Sequence, residues 1–188
     1  FGHRPRMTSL AADILGVLAP LVHARDQLPR WMRPERRGAG VFALFGARAR
    51  IEWQPLGVVG ILSPWNFPVA LALHPVGSAL AAGNRAMIKV SEHTPRTAAL
   101  LTEAVAAAFA PEELVVVSGG PQVGEAFCAL PFDHLLFTGS TQVGQRVQQA
   151  AAAHLGPVTL ELGGKDPVVI APDADLPQAA ARIMVGKT

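Results

Sequence analysis

Apolar residues fill positions 57–62 (Gly57-Val58-Val59-Gly60-Ile61-Leu62) without a polar interruption, the pattern of a strand buried on both faces. The run leads into Pro64-Trp65-Asn66-Phe67-Pro68, where two prolines stiffen the backbone around an aromatic pair and one amide. From there strand-like and helix-like stretches alternate. The pattern predicts a helix over 68–82 ended by Gly83-Asn84, a strand at 85–90, and a helix that Thr94-Pro95 opens and that runs to 108. A strand at 114–118 follows, ended by Gly119-Gly120-Pro121, then a short helix and a strand at 134–138. Gly139-Ser140 opens a helix to 154, a strand at 158–162 closes at Gly163-Gly164, and a short strand at 168–170 precedes a helix over 176–185. This alternation implies an α/β fold: a Rossmann-like parallel sheet with helices on both faces.

The chain before residue 56 reads differently. Leu10, Ile14, Leu18, Leu21, Val22 and Leu28 recur with a helical period that Pro20 and Pro29 interrupt, which predicts two short helices forming an N-terminal arm. Gly38 and Gly40 punctuate the chain, and two strand-like runs at 41–45 and 48–53 flank Gly46-Ala47, which predicts a β-hairpin. The segments are an arm at 1–36, a hairpin at 37–55, an alternating strand–helix sheet at 56–162 and a final stretch at 163–188. Gly38-Ala39-Gly40-Val41-Phe42-Ala43 fits a dinucleotide fingerprint only as a string. It follows an arginine-rich segment and opens a predicted strand, the reverse of the strand-to-helix context that the mechanism needs.

Composition narrows the class. With 188 residues, half of them hydrophobic, the chain suits a domain that buries roughly 70% of its unfolded surface, which excludes a disordered or fibrous chain. The single cysteine, Cys128, excludes an internal disulfide framework and fits a reducing, cytoplasmic setting. It sits in Ala126-Phe127-Cys128-Ala129-Leu130 and reads as a buried structural thiol. The longest apolar run, 68–83, is broken by His74, Pro75 and Gly77, so no run is expected to reach membrane-spanning length. Net charge is +2, yet residues 1–50 hold nine arginines against three acids, and residues 51–188 seven basic residues against eleven acids. Without interleaved stacking aromatics this basic quarter reads as a solvated helix face or subunit contact, not a nucleic-acid surface. The six histidines are scattered and Cys128 has no cysteine partner, so no metal site is expected.

Four loops at predicted strand ends carry the candidate chemistry. Asn66 falls at the carboxyl end of a parallel-type strand, where open α/β sheets bind ligands, and its amide can donate to an oxygen that turns negative during a reaction. Its alternative role is a turn cap. Lys89-Val90-Ser91-Glu92 places a cation and a carboxylate three residues apart, suited to vicinal ribose hydroxyls or to an ordinary surface pair. Phe137-Thr138-Gly139-Ser140-Thr141-Gln142-Val143-Gly144 combines glycines with free N–H groups at a helix start, which suit a phosphate. Gln145-Arg146 stands where a Walker loop needs Lys-Ser/Thr, and the terminal Gly186-Lys187-Thr188 lacks the leading glycine, replaced by Ala181. Glu161-Leu162-Gly163-Gly164-Lys165 sets a carboxylate beside glycines, a general base if burial raises its pKa, or a partner for Lys165.

Trp65-Asn66-Phe67-Pro68, Lys89-Val90-Ser91-Glu92, Phe137-Thr138-Gly139-Ser140 and Glu161-Leu162-Gly163-Gly164-Lys165 occur in the order and spacing of the aldehyde dehydrogenase superfamily. The resemblance runs from Trp31 to the end and is closest to the coniferyl aldehyde dehydrogenase-like group. It implies NAD(P)-dependent oxidation of an aldehyde, coniferyl-like aromatic aldehydes included, through a cysteine thioester. Asn66 would donate to the oxyanion and Glu161 would activate the hydrolytic water. Lys89 and Glu92 would hold the adenosine ribose, with Gly120 and Pro121 on the adenine side and the Gly139, Ser140 and Gly144 loop at the pyrophosphate. Leu62, Ser63, Pro64 and Trp65 would lie along the cofactor, and Leu162 near the nicotinamide. NAD is the expected cofactor, with NADP admissible. The nucleophilic cysteine of that family lies beyond the Glu161 loop, and Cys128 does not match its position. The expectation is therefore a fragment cut before its nucleophile, inactive alone, with 37–55 an oligomerisation-type hairpin, 56–162 the nucleotide-binding domain, 163–188 the start of the catalytic domain, and a homo-oligomer at full length. Val90 departs from the proline of many relatives. The alternative is a nucleotide-binding or assembly module that does no chemistry.

Overall fold

The structure, a computed structural model, describes residues 3–187. Its centre is a five-stranded parallel sheet of β3 (Val58–Leu62), β4 (Arg85–Lys89), β5 (Leu114–Val117), β6 (His134–Gly139) and β7 (Val158–Leu162), in the order β5-β4-β3-β6-β7. The helices between them are α3 (Ala70–Ala81), α4 (Pro95–Ala108), α5 (Pro121–Cys128) and α6 (Thr141–Ala152), and α7 (Leu176–Lys187) follows. The Rossmann-like α/β expectation is met. The chain steps outward from β3 through β4 to β5, then crosses back to β6 on the other side of β3. The strand order thus reverses between β3 and β6, the place where such sheets open a crevice at their carboxyl ends.

Side-chain alternation along the strands builds two cores. Val59, Ile61, Ala86, Ile88, Leu114 and Val116 point to the face covered by Ala72, Val76 and Ala79 of α3 and Ala98, Leu101 and Val105 of α4. Leu62, Leu135 and Phe137 point to the other face, against Phe127 and Cys128 of α5 and Val147 and Ala151 of α6. Each strand residue changes face with its neighbour, as a period of two requires. The amino end of β3 is pinned by side chains from two other loops. Asn84 Oδ1 accepts from the N–H groups of Leu56 and Gly57 at 2.6 and 3.0 Å, and Asp133 Oδ2 accepts from Val58 N–H at 2.7 Å. Gly57 is at φ +138°, and a Cβ there would lie 2.1 Å from Asp133 Oδ2. Only glycine lets the carboxylate approach that closely.

The first quarter of the chain corrects the sequence reading in three places. The arm is one helical run from Arg6 to Trp31 rather than two short helices: α1 (Arg6–Thr8), a π-helical stretch Ser9–Leu15, and α2 (Gly16–Trp31), with Pro20 and Pro29 inside α2. Interior proline costs a helix about 3 kcal/mol. Packing of α2 on α3, close enough that a Cβ on Gly77 would lie 1.9 Å from Leu21 Cδ2, offsets it. By length and composition this helix is apolar enough to cross a membrane, so the expectation that no run reaches that length fails for the arm. The hairpin is the third correction. Its strands are β1 (Glu35–Arg37) and β2 (Ala49–Ile51), paired antiparallel, while Gly40–Phe45 forms a 3₁₀ turn. Gly40 at φ +57° and Gly46 at φ +81° bracket that turn. The 38–43 fingerprint string therefore follows a strand, but one in a two-stranded antiparallel ribbon with no βαβ unit.

Farther on, 168–170 is not a strand. Val168, Val169 and Ile170 are exposed, and among the described residues no strand lies beside them. Gly186 and Lys187 belong to α7, whereas Thr188 of the terminal Gly-Lys-Thr string lies outside the described residues.

Candidate functional site

Because β3 to β7 run parallel, the loops that follow them lie along one edge of the sheet. Register fixes their level: Leu62 pairs with Lys89 and with Phe137, Lys89 with Val117, and Gly139 with Leu162. The sheet therefore brings together the ends that carry residues 62–66, Lys89, Gly120, Ser140 and Glu161. A cleft of about 1140 Å³ lies at the opposite edge, lined by Gln54, Pro55 and Gly83 ahead of β3 and β4 and by His23, Trp31 and His74. None of the candidate residues lines it.

At the end of β3, Ser63 N–H donates to Lys89 O at 3.1 Å, which holds the chain parallel to β4 for one residue past the strand. The Ser63 side chain is buried, and its Oγ has no hydrogen-bond partner among the described residues. A buried hydroxyl left unpaired costs about 1–3 kcal/mol. Trp65, Asn66 and Phe67 then turn outward and are exposed, while Pro68 is buried at the entry to α3. Asn66 is thus an exposed residue on the turn that follows β3.

Lys89 departs from the surface-pair alternative. It is 7% exposed, on the β4 face shared with α5, and a Cβ on Gly124 would sit 3.9 Å from its Cε. Its Nζ contacts Glu92 Oε2 at 2.8 Å. That hydrogen bond holds the Glu92 carboxyl below its ordinary range, against the opposing effect of burial. The same ammonium lies near Cys128, whose thiol burial pushes up and Lys89 pulls back in part. Cys128 is packed between α5 and the sheet and points into the core.

Gly119 and Gly120 make the β5–α5 corner, with Gly120 as the N-cap of α5 and Pro121 at its first position. Ser140 is the N-cap of α6 and accepts from Val143 N–H at 3.3 Å. Its oxygen completes the helix start, leaving the N–H groups of Thr141 and Gln142 for an anion. Gly144 has a packing reason to be glycine: it is buried in α6, and a Cβ there would lie 2.8 Å from Leu162 Cδ2. Glu161 lies opposite Thr138 and is exposed, so these residues do not supply the burial that base action calls for. Among the described residues no group of three or more metal-ligating side chains occurs.

Two site residues escaped the sequence reading. Arg4 Nη1 donates to the backbone oxygen of Asn66 at 2.9 Å and contacts Asp13 Oδ2 at 2.8 Å, with its guanidinium 5.0 Å from the Phe67 ring centre. Asp13 Oδ1 accepts from Val69 and Ala70 N–H at 3.3 and 3.2 Å. Separations of 62 and 56 residues put these contacts beyond any local pattern; the one available signal was an acid at an otherwise apolar-spaced position of the arm.

Residues 28–188 match the sequence model of the aldehyde dehydrogenase family. Over its whole length the chain is 55% identical to a probable coniferyl aldehyde dehydrogenase of Caulobacter vibrioides, covering 39% of that protein. It superimposes on the substrate-bound state of Staphylococcus aureus AldH with TM-score 0.91 at 37% identity, over 95% of this chain and 39% of that one. Against the Mycobacterium tuberculosis aldehyde dehydrogenase complexed with NAD+ the TM-score is 0.81 at 34% identity, over 94% and 36%. The chain spans about two fifths of the length of these relatives.

Proposed function

The chain belongs to the aldehyde dehydrogenase family, and we propose that it provides the cofactor-holding sheet and two catalytic side chains of an enzyme that oxidises an aldehyde to its carboxylic acid with NAD(P). The observation that carries this reading is the convergence of five parallel strand ends on one edge, with the unpaired Ser63 hydroxyl and the exposed Asn66 amide beside the reversal of strand order. A dinucleotide fits what this edge offers. Ser63 has an unused hydroxyl, the start of α6 has N–H groups for phosphate, and the fixed Lys89–Glu92 pair suits ribose hydroxyls. Leu62, Pro64 and Trp65 flank Ser63, Gly120 and Pro121 offer a close backbone approach, and Leu162 covers the far side. Similarity to coniferyl aldehyde dehydrogenases makes an aromatic aldehyde the proposed substrate class.

In this mechanism a thiolate adds to the aldehyde carbon, a C–S bond forms, and the carbonyl oxygen takes the negative charge. Asn66 donates its amide N–H to that oxygen, a contribution of about 3–4 kcal/mol for one such donor. Held by Ser63, Lys89, Glu92 and the start of α6, NAD(P) would supply an acceptor for the aldehydic hydrogen and its electron pair, so that the carbonyl would re-form as a thioester. Glu161 then takes a proton from water as the water adds to that carbon; the C–S bond breaks, the sulfur leaves as the thiolate that began the cycle, the acid departs and Glu161 gives its proton to solvent. We do not assign the nucleophile to Cys128, which is buried in the core between α5 and the sheet, where burial also pushes its thiol up. The thiol comes from outside these 188 residues, and the chain alone is inactive.

Pre-steady-state kinetics of the intact enzyme test the roles. Asn66→Ala slows the fast phase of cofactor reduction by about 100- to 1000-fold, whereas Glu161→Gln spares that phase and slows steady turnover by about 100-fold. Parental turnover in Glu161→Gln removes Glu161 as the base. An unchanged fast phase in Asn66→Ala removes the oxyanion role.

A further inference from the structure

Asn66 is exposed, yet its backbone is not left to the loop. Its carbonyl is held by Arg4, and the two residues that lead into α3 are held by Asp13. Arg4 and Asp13 meet in a contact at 2.8 Å, with the two side chains 13% and 5% exposed. Asp13 stands in the π-helical stretch Ser9–Leu15, a widened geometry that recurs at functional sites. From there it caps a helix of another segment: α3 has no side-chain cap of its own, and Asp13 accepts two of the N–H groups at its entry. One carboxylate so fixes the start of α3, and one guanidinium ties that carboxylate to Asn66, with its plane near Phe67.

We infer that Arg4 and Asp13 are positioning residues that act through Asn66: the arm orients the turn so that the Asn66 amide points at the developing oxyanion. This rests on the oxyanion reading of Asn66 above. Pinning both the carbonyl of Asn66 and the N–H groups of Val69 and Ala70 restricts the turn on either side of the aromatic pair. An oxyanion donor is worth most when it needs no reorganisation at the moment of reaction. A donor displaced by about 1 Å can lose up to about 100-fold in rate.

The test uses the intact enzyme and a double-mutant cycle. Arg4→Met is expected to slow the fast phase of cofactor reduction by about tenfold, leaving the hydrolytic phase and cofactor affinity at parental values. In an Asn66→Ala background the same change costs less than about twofold, because the group it orients is gone. Asp13→Asn retains an acceptor for Val69 and Ala70 while losing the charge that anchors Arg4, so it slows the same phase and folds even if Arg4→Met does not. Amide exchange at Val69 and Ala70 stays slow in Asp13→Asn and quickens in Asp13→Ala. The proposal is overturned if Arg4→Met and Asp13→Asn keep the parental fast phase while Asn66→Ala loses it. It is equally overturned if the losses multiply in the double variant, or if hydrolysis and cofactor affinity fall alongside. An unchanged fast phase in Asn66→Ala itself overturns the oxyanion reading and this inference with it.

Discussion

Lys89 and Glu92 show how one pair sets two properties of the site. Lys89 is buried, Glu92 is partly covered, and their contact at 2.8 Å keeps the carboxylate charged and fixed at the β4 end. Because the Glu92 pKa is lowered from 4.5, its contribution to stability is present above that value and is lost as pH falls through the depressed one. The gap in unfolding temperature between the parent and Glu92→Gln is therefore widest near neutral pH and closes in acid. A scan of both proteins across acidic pH checks this; a gap that widens on acidification refutes it. The same fixed charge bears on cofactor choice. A 2′-phosphate about 4 Å away meets a repulsion of roughly 4 kcal/mol at an effective dielectric of about 20, before screening and side-chain movement. Titrating the intact enzyme with both cofactors is expected to give tighter binding of NAD, with Glu92→Gln narrowing the difference. Tighter NADP binding by the parent sinks the argument.

Among the elements, β3 has the most to hold in place, since the Asn66 turn is its continuation. Its amino end depends on Asn84, which accepts from Leu56 and Gly57 N–H while its own Nδ2 donates to Ala79 O at 3.2 Å. Asn84→Ala leaves these partners without their side-chain bonds, at a cost of about 2–4 kcal/mol, measurable as a lower midpoint of denaturant unfolding in the intact protein. A midpoint within error of the parent refutes the clamp. The sequence pointed to Gly83-Asn84 as a helix end but gave no sign of this clamp, because its donors lie 27 and 28 residues away. Strands β3 to β6 were legible for a local reason: their apolar residues are buried or half-buried on both faces, so composition and environment agree. The misreadings are apolar runs that no sheet receives. Phe42, Leu44 and Phe45 read as strand but lie exposed in a 3₁₀ turn, and 168–170 lies exposed with no partner strand among the described residues. For the site, Asn66, Lys89, Glu92 and Ser140 stood out at strand ends, whereas Arg4 and Asp13 depend on contacts made only after folding.

At the scale of the whole molecule, surface area decides what the chain can do alone. A compact monomer of 19.7 kDa exposes about 8,600 Å² by the usual mass scaling. This chain exposes 13080 Å², an excess of roughly 4,500 Å², in the range buried by obligate interfaces. Much of it is apolar and grouped. Leu10, Ile14, Leu18 and Val22 form an exposed stripe at four-residue spacing along the arm, and Val41, Phe42, Leu44 and Phe45 crown the ribbon. Val169, Leu176 and Val185 extend past β7, and β7 is itself an edge strand with no neighbour on its outer side among the described residues. An open edge beside uncovered apolar surface is a template for association. The 188-residue chain produced by itself is thus expected to bind a hydrophobic dye strongly, to sediment as polydisperse aggregates, and to oxidise no aldehyde. A polypeptide that extends past Thr188 to the full length of the relatives is expected to lose the dye signal and sediment as one discrete species. A monodisperse, dye-silent monomer from the 188 residues alone would show that the excess surface needs no cover.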